Sequence, residues 1–359
     1  MPHGEQAPGV QAINMASNDL VIVENLKKYF PVRTGILASL RSKEIPMVKA
    51  IDGVSFAIPR GKIFGIVGES GSGKTTTGRA MLRLEEPTAG SVIIEGEDII
   101  KLDKEELKKR RREMQIIFQD PFESLNPKMT IYELVVEPLE IHRIGKDDEE
   151  KRKLVSEALE EVQLIPPEDF LFRYPHELSG GQRQRVAIAR ALILRPKFIV
   201  ADEPVSMLDV SIRTEVLNLM LDLQEKLGLT YLFITHDLAI ARYMSSNIGV
   251  MYLGKIIEFG DVSDVLDDPD HPYTQALMVA VPVPDAEKKR GELPIKGETP
   301  QPINLPPGCR FNPRCPYAFD RCLREEPGLF TVEPGHGAAC FLYEDFHRGS
   351  LERGRLPKD

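Results

Sequence analysis

Gly68-Glu69-Ser70-Gly71-Ser72-Gly73-Lys74-Thr75 is the stretch that decides the fold of this chain. It has the form G-x-x-x-x-G-K-[ST], a phosphate-binding loop. Before it stands Ile63-Phe64-Gly65-Ile66-Val67, an apolar run that reads as a short buried strand, and after it Thr75 to Leu84 reads as a helix. That strand–loop–helix context is what a genuine phosphate loop requires. Gly68, Gly71 and Gly73 let the backbone wrap closely, so that N–H groups from Ser70 to Thr76 face the phosphates of a nucleoside triphosphate. Lys74 brings a point charge to the β- and γ-phosphates, and the Thr75 hydroxyl offers Mg²⁺ the hard oxygen it prefers.

Further along, Phe198-Ile199-Val200-Ala201-Asp202 is an apolar strand ending in an acid, which places Asp202 beside the same Mg²⁺, and Glu203 follows it. Between the two motifs lies Leu178-Ser179-Gly180-Gly181-Gln182. Ser179, Gly180 and Gly181 open a helix, where free N–H groups and the helix dipole favour an anion. Strands and helices alternate on either side of residues 121–174. Within that stretch strand signals are absent, and Ile131–His142 and Glu149–Val162 have helical periodicity. Residues 1–18 read as a polar, disordered tail, 31–46 as a loop, and 281–307, with many Pro and charged residues, as a linker or extended arm.

Bulk composition narrows the classes. The chain of 359 residues is 42% hydrophobic and 28% charged, ordinary for a globular protein of two or three structural units. A net charge of −9 argues against a general nucleic-acid binder. Lys108-Lys109-Arg110-Arg111-Arg112 follows two glutamates and reads as a solvated helix face. No run approaches the ~18 apolar residues of a membrane span, and the N-terminus lacks the pattern of a secretory signal. A cytoplasmic chain is expected, with any membrane association through a partner.

Taken together, the phosphate loop and Leu178-Ser179-Gly180-Gly181-Gln182 resemble the paired motifs of the ABC ATPases. The resemblance implies an α/β fold: a RecA-like core, an antiparallel β subdomain and an α-helical subdomain at about 120–178. The ABC ATPase domain would span 19–262, with a small C-terminal extension at 263–359. It implies that Ser179, Gly180, Gly181 and Gln182 close over the nucleotide of a second subunit, so that ATP glues two subunits and hydrolysis parts them. Glu203 matches the residue that polarises the attacking water. Gln119 matches the Q-loop, which also reaches Mg²⁺, Ser206-Met207-Leu208-Asp209 the D-loop, and His236 the histidine that contacts the γ-phosphate. For the adenine, the resemblance offers Phe30 as stacking platform and Tyr29 as the other choice.

His271-Pro272-Tyr273-Thr274 and Phe118-Gln119-Asp120-Pro121 through Ser124-Leu125-Asn126-Pro127 resemble segments of oligopeptide and dipeptide importer ATPases, most closely the F-type subunit. All four cysteines, Cys309, Cys315, Cys322 and Cys340, lie in the extension. Four thiols in a short cytoplasmic segment suggest a metal rather than disulfides, and such sets hold zinc or an iron–sulfur cluster. Their spacing and the Cys309-Arg310-Phe311-Asn312-Pro313-Arg314-Cys315 core resemble the [4Fe–4S] site of peptide-importer ATPases. That family implies two transmembrane permease subunits, a second ATPase of D type, an extracytoplasmic binding protein acting indirectly, and a peripheral place on the cytoplasmic face of the membrane. Other readings are import of sugar oligomers or nickel chelates, a soluble ABC ATPase in repair or translation, and an assembly ATPase for metal clusters.

Overall fold

The computed structural model describes residues 18–32, 46–280 and 305–344, with Ile295, Gly297, Pro300, Pro302 and Ile303 between. The expected tail, the loop at 31–46 and the linker at 281–307 lie largely outside the described residues.

The chain opens with β1 (Asp19–Pro31) and β2 (Met47–Pro59), then β3 (Ile63–Val67), α1 (Lys74–Met81), β4 (Ala89–Ile94) and β5 (Glu97–Asp98). Four of these strands form an antiparallel sheet in the order β2-β1-β4-β5. Along β2, Val54, Phe56 and Ile58 alternate inward. They join Val21, Val23, Phe64, Ile66 and Met81 in one apolar cluster, which seats this sheet on the strand and helix that carry the phosphate loop. The end of β1, with Phe30, is thereby brought to the loop.

Next come α2 (Lys104–Arg110), β6 (Met114–Ile117), α3 (Pro121–Ser124), α4 (Ile131–His142), α5 (Asp148–Glu161) and α6 (Glu168–Leu171). Helix α2 starts at an Asp103–Glu106 capping box, α4 at a Thr130–Glu133 box, and α5 at Asp147, whose side chain accepts from Glu150 N–H. Helices α3–α6 form the helical subdomain. Its apolar faces, with Leu134, Val135, Leu139, Val155 and Leu159, pack with α7 (Gly180–Leu192).

The remaining elements are β7 (Phe198–Asp202), α8 (Val210–Leu227), β8 (Thr230–Ile234), α9 (Leu238–Met244), β9 (Asn247–Tyr252), β10 (Lys255–Asp261), α10 (Val262–Asp267), α11 (Pro272–Ala280), β11 (Phe330–Glu333) and β12 (His336–Ala338). Among the described residues the second sheet runs β11-β12-β10-β9-β3-β8-β7-β6. From β9 to β6 it is parallel. Every residue of β3, β7 and β8 is buried, as continuous apolar runs in a sheet covered on both faces should be. In a parallel sheet all strands end on one edge. The phosphate loop after β3, His236 after β8, Asp202 and Glu203 at β7 and Gln119 after β6 therefore stand side by side, although they lie far apart in sequence.

The C-terminal region rejoins this sheet. Strand β12 pairs antiparallel with β10 through Glu258↔Ala338 and Phe259↔Gly337, and β11 pairs with β12. Tyr273 and Phe311 pack in one cluster with Val67, Val250 and Tyr252 of the core. A separate cluster of the region is small: Val332, Ala338 and Tyr343 are its buried members.

Candidate active site

Backbone geometry explains the glycines that flank the phosphate loop. Gly68 has φ 151° and Gly73 φ 109°, and a Cβ at either would come within 2.2 Å of a carbonyl oxygen, from Met251 and Ala50 respectively. Gly73 is also the N-cap of α1 and has no side chain with which to cap it, so the first amides of the helix are left for an anion. The Lys74 ammonium donates to the carbonyls of Gly68 (2.7 Å) and Glu69 (2.9 Å), curling the loop around it. Burial holds its pKa below the ordinary lysine value, against the opposing pull of Glu203, Asp202 and Glu69.

The Thr75 hydroxyl donates to Asp202 Oδ1 at 2.9 Å. Asp202 is buried, and burial pushes its carboxyl above the usual range, against the Thr75 hydrogen bond. The neighbouring Glu203 sits in the left-handed region at φ 46°, a strained position that costs about 1–3 kcal/mol for a non-glycine residue. Its N–H donates to Ile234 O at 2.9 Å, tying the end of β7 to that of β8. Gln119 Nε2 donates to Glu203 Oε2 at 3.1 Å, and His236 Nδ1 lies 3.0 Å from the same oxygen. Two side chains, from the ends of β6 and β8, thus converge on one carboxylate oxygen at the end of β7. Just after His236, Asp237 caps α9 by accepting from Ala239 and Ile240 N–H.

These groups share a cavity of about 830 Å³, lined by Phe30, Gly68, Ser70, Gly71, Gly73, Lys74, Thr75, Thr76, Gln119, Glu203 and His236. Phe30 forms its apolar wall with Val48, Ala50, Leu277 and Pro302. Tyr29 points elsewhere. Its hydroxyl donates to Asp52, and burial together with that carboxylate pushes its pKa up to about 12.

Ser179 caps α7 reciprocally: its Oγ accepts from Gln182 N–H at 3.3 Å, and Gln182 Oε1 accepts from Ser179 N–H at 3.0 Å. A Cβ on Gly181 would come within 2.6 Å of Ile212. Residues 179–182 stand apart from the cavity of their own chain, and Ser179 is exposed. Asp209 is the N-cap of α8 and makes no side-chain capping bond. Beside it, the apolar Met207 and Val210 are 61% and 75% exposed.

A family profile described as "ABC transporter" matches residues 51–206, and one described as "Oligopeptide/dipeptide transporter, C-terminal region" matches residues 257–322. The oligopeptide transport ATP-binding protein AppF of Bacillus subtilis is 49% identical over 333 residues, covering 91% of this chain and 99% of the relative. The chain belongs to the ATP-binding subunits of ABC transporters. The putative oligopeptide transport ATP-binding protein YkfD of B. subtilis is 50% identical, covering 83% of this chain and 91% of the relative. Among solved structures, the ABC cassette MJ0796, a dimer in a post-hydrolysis state with ADP and Pi, matches with TM-score 0.58 and 34% identity over 67% of this chain and 98% of that one. The cbiO1 subunit from Clostridium perfringens matches with TM-score 0.59 and 27% identity over 70% and 92%.

In this ABC ATPase the C-terminal region reaches the nucleotide cavity. Cys309, Cys315, Cys322 and Cys340 line one cavity with His271, Phe311 and Tyr317. Burial pushes the thiols of Cys309 and Cys315 up to about 11 and that of Cys340 to about 12. All four residues are described, and no three of their sulfurs lie within 4.8 Å of one another. Arg314, just before Cys315, pairs with both carboxylate oxygens of Glu69 in the phosphate loop, at 2.9 and 3.0 Å. Arg310, just after Cys309, pairs with Asp52 and with Glu326. A buried triad of Glu258, Asp270 and His336 joins β10, the start of α11 and β12. Both arginines lie within the Cys309–Cys315 motif, whose sequence gives no sign of these partners. The one local signal was an acid, Glu69, inside a loop built to meet phosphates.

Proposed function

We propose that this subunit hydrolyses ATP to drive import of di- and oligopeptides across the cytoplasmic membrane. The convergence of Gln119 and His236 on Glu203 at the mouth of the phosphate-loop cavity carries the hydrolytic half of this reading. Lys74 and the amides between Ser70 and Thr76 would hold the β- and γ-phosphates, and Phe30 would stack on the adenine. Glu203 accepts a proton from water as its oxygen attacks the γ-phosphorus, and the bond to the β-phosphate oxygen breaks to give ADP and phosphate. His236 and Gln119 orient that carboxylate. Mg²⁺ would be held by the Thr75 hydroxyl, the Asp202 carboxylate and the Gln119 amide oxygen, all hard donors, and would neutralise charge on the phosphate oxygens.

The transport half rests on the C-terminal match and on the peptide-transport names of the relatives. We read the chain as an ABC ATPase domain at 19–262, with its helical insert at 120–178, and an extension at 263–359. Residues 179–182, Asp209 and the exposed Met207 and Val210 would face a second ATPase, a D-type paralogue. Each subunit would then complete the other's site, and ATP would hold the two together. A groove of about 810 Å³ lies between α2 and β6 on one side and α4 and α7 on the other, lined by Lys108, Arg111, Ile141, His142, Glu137 and Arg190 among others. It would take the short coupling helices of one membrane-embedded permease subunit. The protein would therefore sit on the cytoplasmic face of the membrane, and an extracytoplasmic binding protein would select the substrate. Among the described residues no helix is long and apolar enough to cross a membrane.

The four thiols would hold a [4Fe–4S] cluster. Buried neutral thiols must lose protons to bind it, which couples the site to pH.

A gentle detergent pull-down of the tagged native protein, read by mass spectrometry, tests the assembly. Recovery of two multi-span membrane proteins and a second ABC ATPase is expected. Recovery of soluble partners alone, where a control transporter survives, overturns the transport reading.

A further inference from the structure

Glu69 is the most tightly fastened residue of the phosphate loop, and two of its fastenings come from the C-terminal region. Its carboxylate takes two bonds from Arg314, from Nη1 to Oε2 at 2.9 Å and from Nη2 to Oε1 at 3.0 Å. Its backbone N–H donates to the Tyr273 hydroxyl at 2.9 Å. Its carbonyl accepts from Lys74 Nζ at 2.9 Å. Arg314 is buried, 6% exposed at the side chain, so this pair is weakly screened by water and salt. Two parallel bonds also fix direction, as a single charge contact would not.

The grip is pre-oriented. The Arg314 guanidinium lies 5.8 Å from the Tyr252 ring and 6.0 Å from the Phe311 ring. Tyr252, Tyr273 and Phe311 pack against one another with centroids 4.7–5.6 Å apart. One turn carries both arginines: Arg314 N–H and Cys315 N–H donate to Phe311 O, and Asn312 N–H donates to Cys309 O. From the other end of that turn, Arg310 donates to Asp52, which also accepts from the Tyr29 hydroxyl beside Phe30. Leu277 and Pro302 complete the cavity wall.

A glycine-rich loop spends much conformational entropy when its amides are aimed at a phosphate. A support fixed to a rigid neighbouring element lowers that cost before the ligand arrives. We propose that Arg314 and Tyr273 are positioning residues for nucleotide binding: acting through Glu69, they hold the phosphate loop in its binding shape. This deepens the reading of the cavity as an ATP site and rests on it.

The test uses the full-length protein with its thiol site intact. ATP dissociation constants are measured in a Glu203→Gln background, and KM and kcat in the otherwise native chain, each alongside Tm. Arg314→Ala should raise both the dissociation constant and KM for ATP about tenfold, with kcat changed less than about twofold. Arg314→Lys should fall between, since it keeps charge but not the paired bonds. Glu69→Gln should raise KM as Arg314→Ala does, and combining the two should add nothing, because they break one link. Tyr273→Phe, a change of one hydroxyl, should raise KM about threefold, and it carries the test if Arg314→Ala does not fold. Tm loss in these variants with unchanged dissociation constant and KM overturns the proposal and leaves Arg314 as an anchor of the extension. A native chain that binds ATP without turnover instead overturns the hydrolysis reading, and the dissociation constants still score the grip.

Discussion

The nucleotide site and the thiol region stand side by side in one sheet, yet they hold their chemistry in different ways. At the nucleotide site the phosphate loop, the Asp202–Glu203 pair and His236 stand at the ends of strands whose every residue is buried. The thiol region has two short strands, a small apolar cluster of its own and several arginine–carboxylate pairs. Where apolar burial is large, it can support strain such as that at Glu203. Where it is small, polar pairs and thiols must set the geometry. The comparison makes loss of one side chain a chemical defect at the first site and a structural defect at the second.

The sharpest way to break that distinction is Glu203→Gln. A general base contributes about 10²–10⁴-fold in rate, so turnover should fall at least about 100-fold while ATP binding and Tm hold. The amide keeps the shape that Gln119 and His236 contact, so a folding defect is not expected. Unchanged phosphate release in a coupled assay would remove Glu203 from its role.

At the thiol region the expected order reverses. Cys315→Ser should lower Tm on the order of 10 °C, comparable with loss of a native cross-link in a small region, with a much smaller effect on kcat. Protein purified without oxygen should be brown, with iron and acid-labile sulfide in equal amounts. Colourless, iron-free protein retaining one zinc would end the cluster assignment and make this a single-ion site.

Much of the nucleotide site was legible because its signals are local. A glycine at φ 109°, an acid closing an apolar strand and a serine three residues before a glutamine each state their geometry within a few residues. The meeting of Gln119, Glu203 and His236 is a matter of strand order, and resemblance rather than spacing anticipated it. Between Phe30 and Tyr29, sequence left two aromatic rings open, and in the fold the Tyr29 hydroxyl is taken by Asp52 while Phe30 lines the cavity. The thiol region was legible as a count of cysteines and little more. Strand β12 is three residues, His336-Gly337-Ala338, too short for any alternation to appear. The Arg314–Glu69 pair joins residues 245 apart in sequence, and no periodicity reports such a contact.

The smallest expected effect concerns His271, which lies where the two regions meet. Its ring lines the thiol cavity, its Nδ1 accepts from Tyr273 N–H at 3.0 Å, and its own N–H donates to Glu258 at 3.0 Å. Burial pushes its pKa down to about 3. In the unfolded chain it takes a proton near 6.5. Between pH 6.5 and 3 the unfolded state therefore binds more protons, so stability falls as pH falls through that window, by up to about 1.4 kcal/mol per unit. The ionisable side chains of Glu258, Asp270 and His336 are close by, so the slope of one protein does not isolate His271. His271→Asn retains an acceptor near Nδ1 and removes the titration. Its Tm should decline less steeply than that of the native chain between pH 6.5 and 5, whatever its stability at neutral pH. Parallel slopes would mean that His271 takes its proton without unfolding this junction, and that the two regions are less tightly packed together here than its burial indicates.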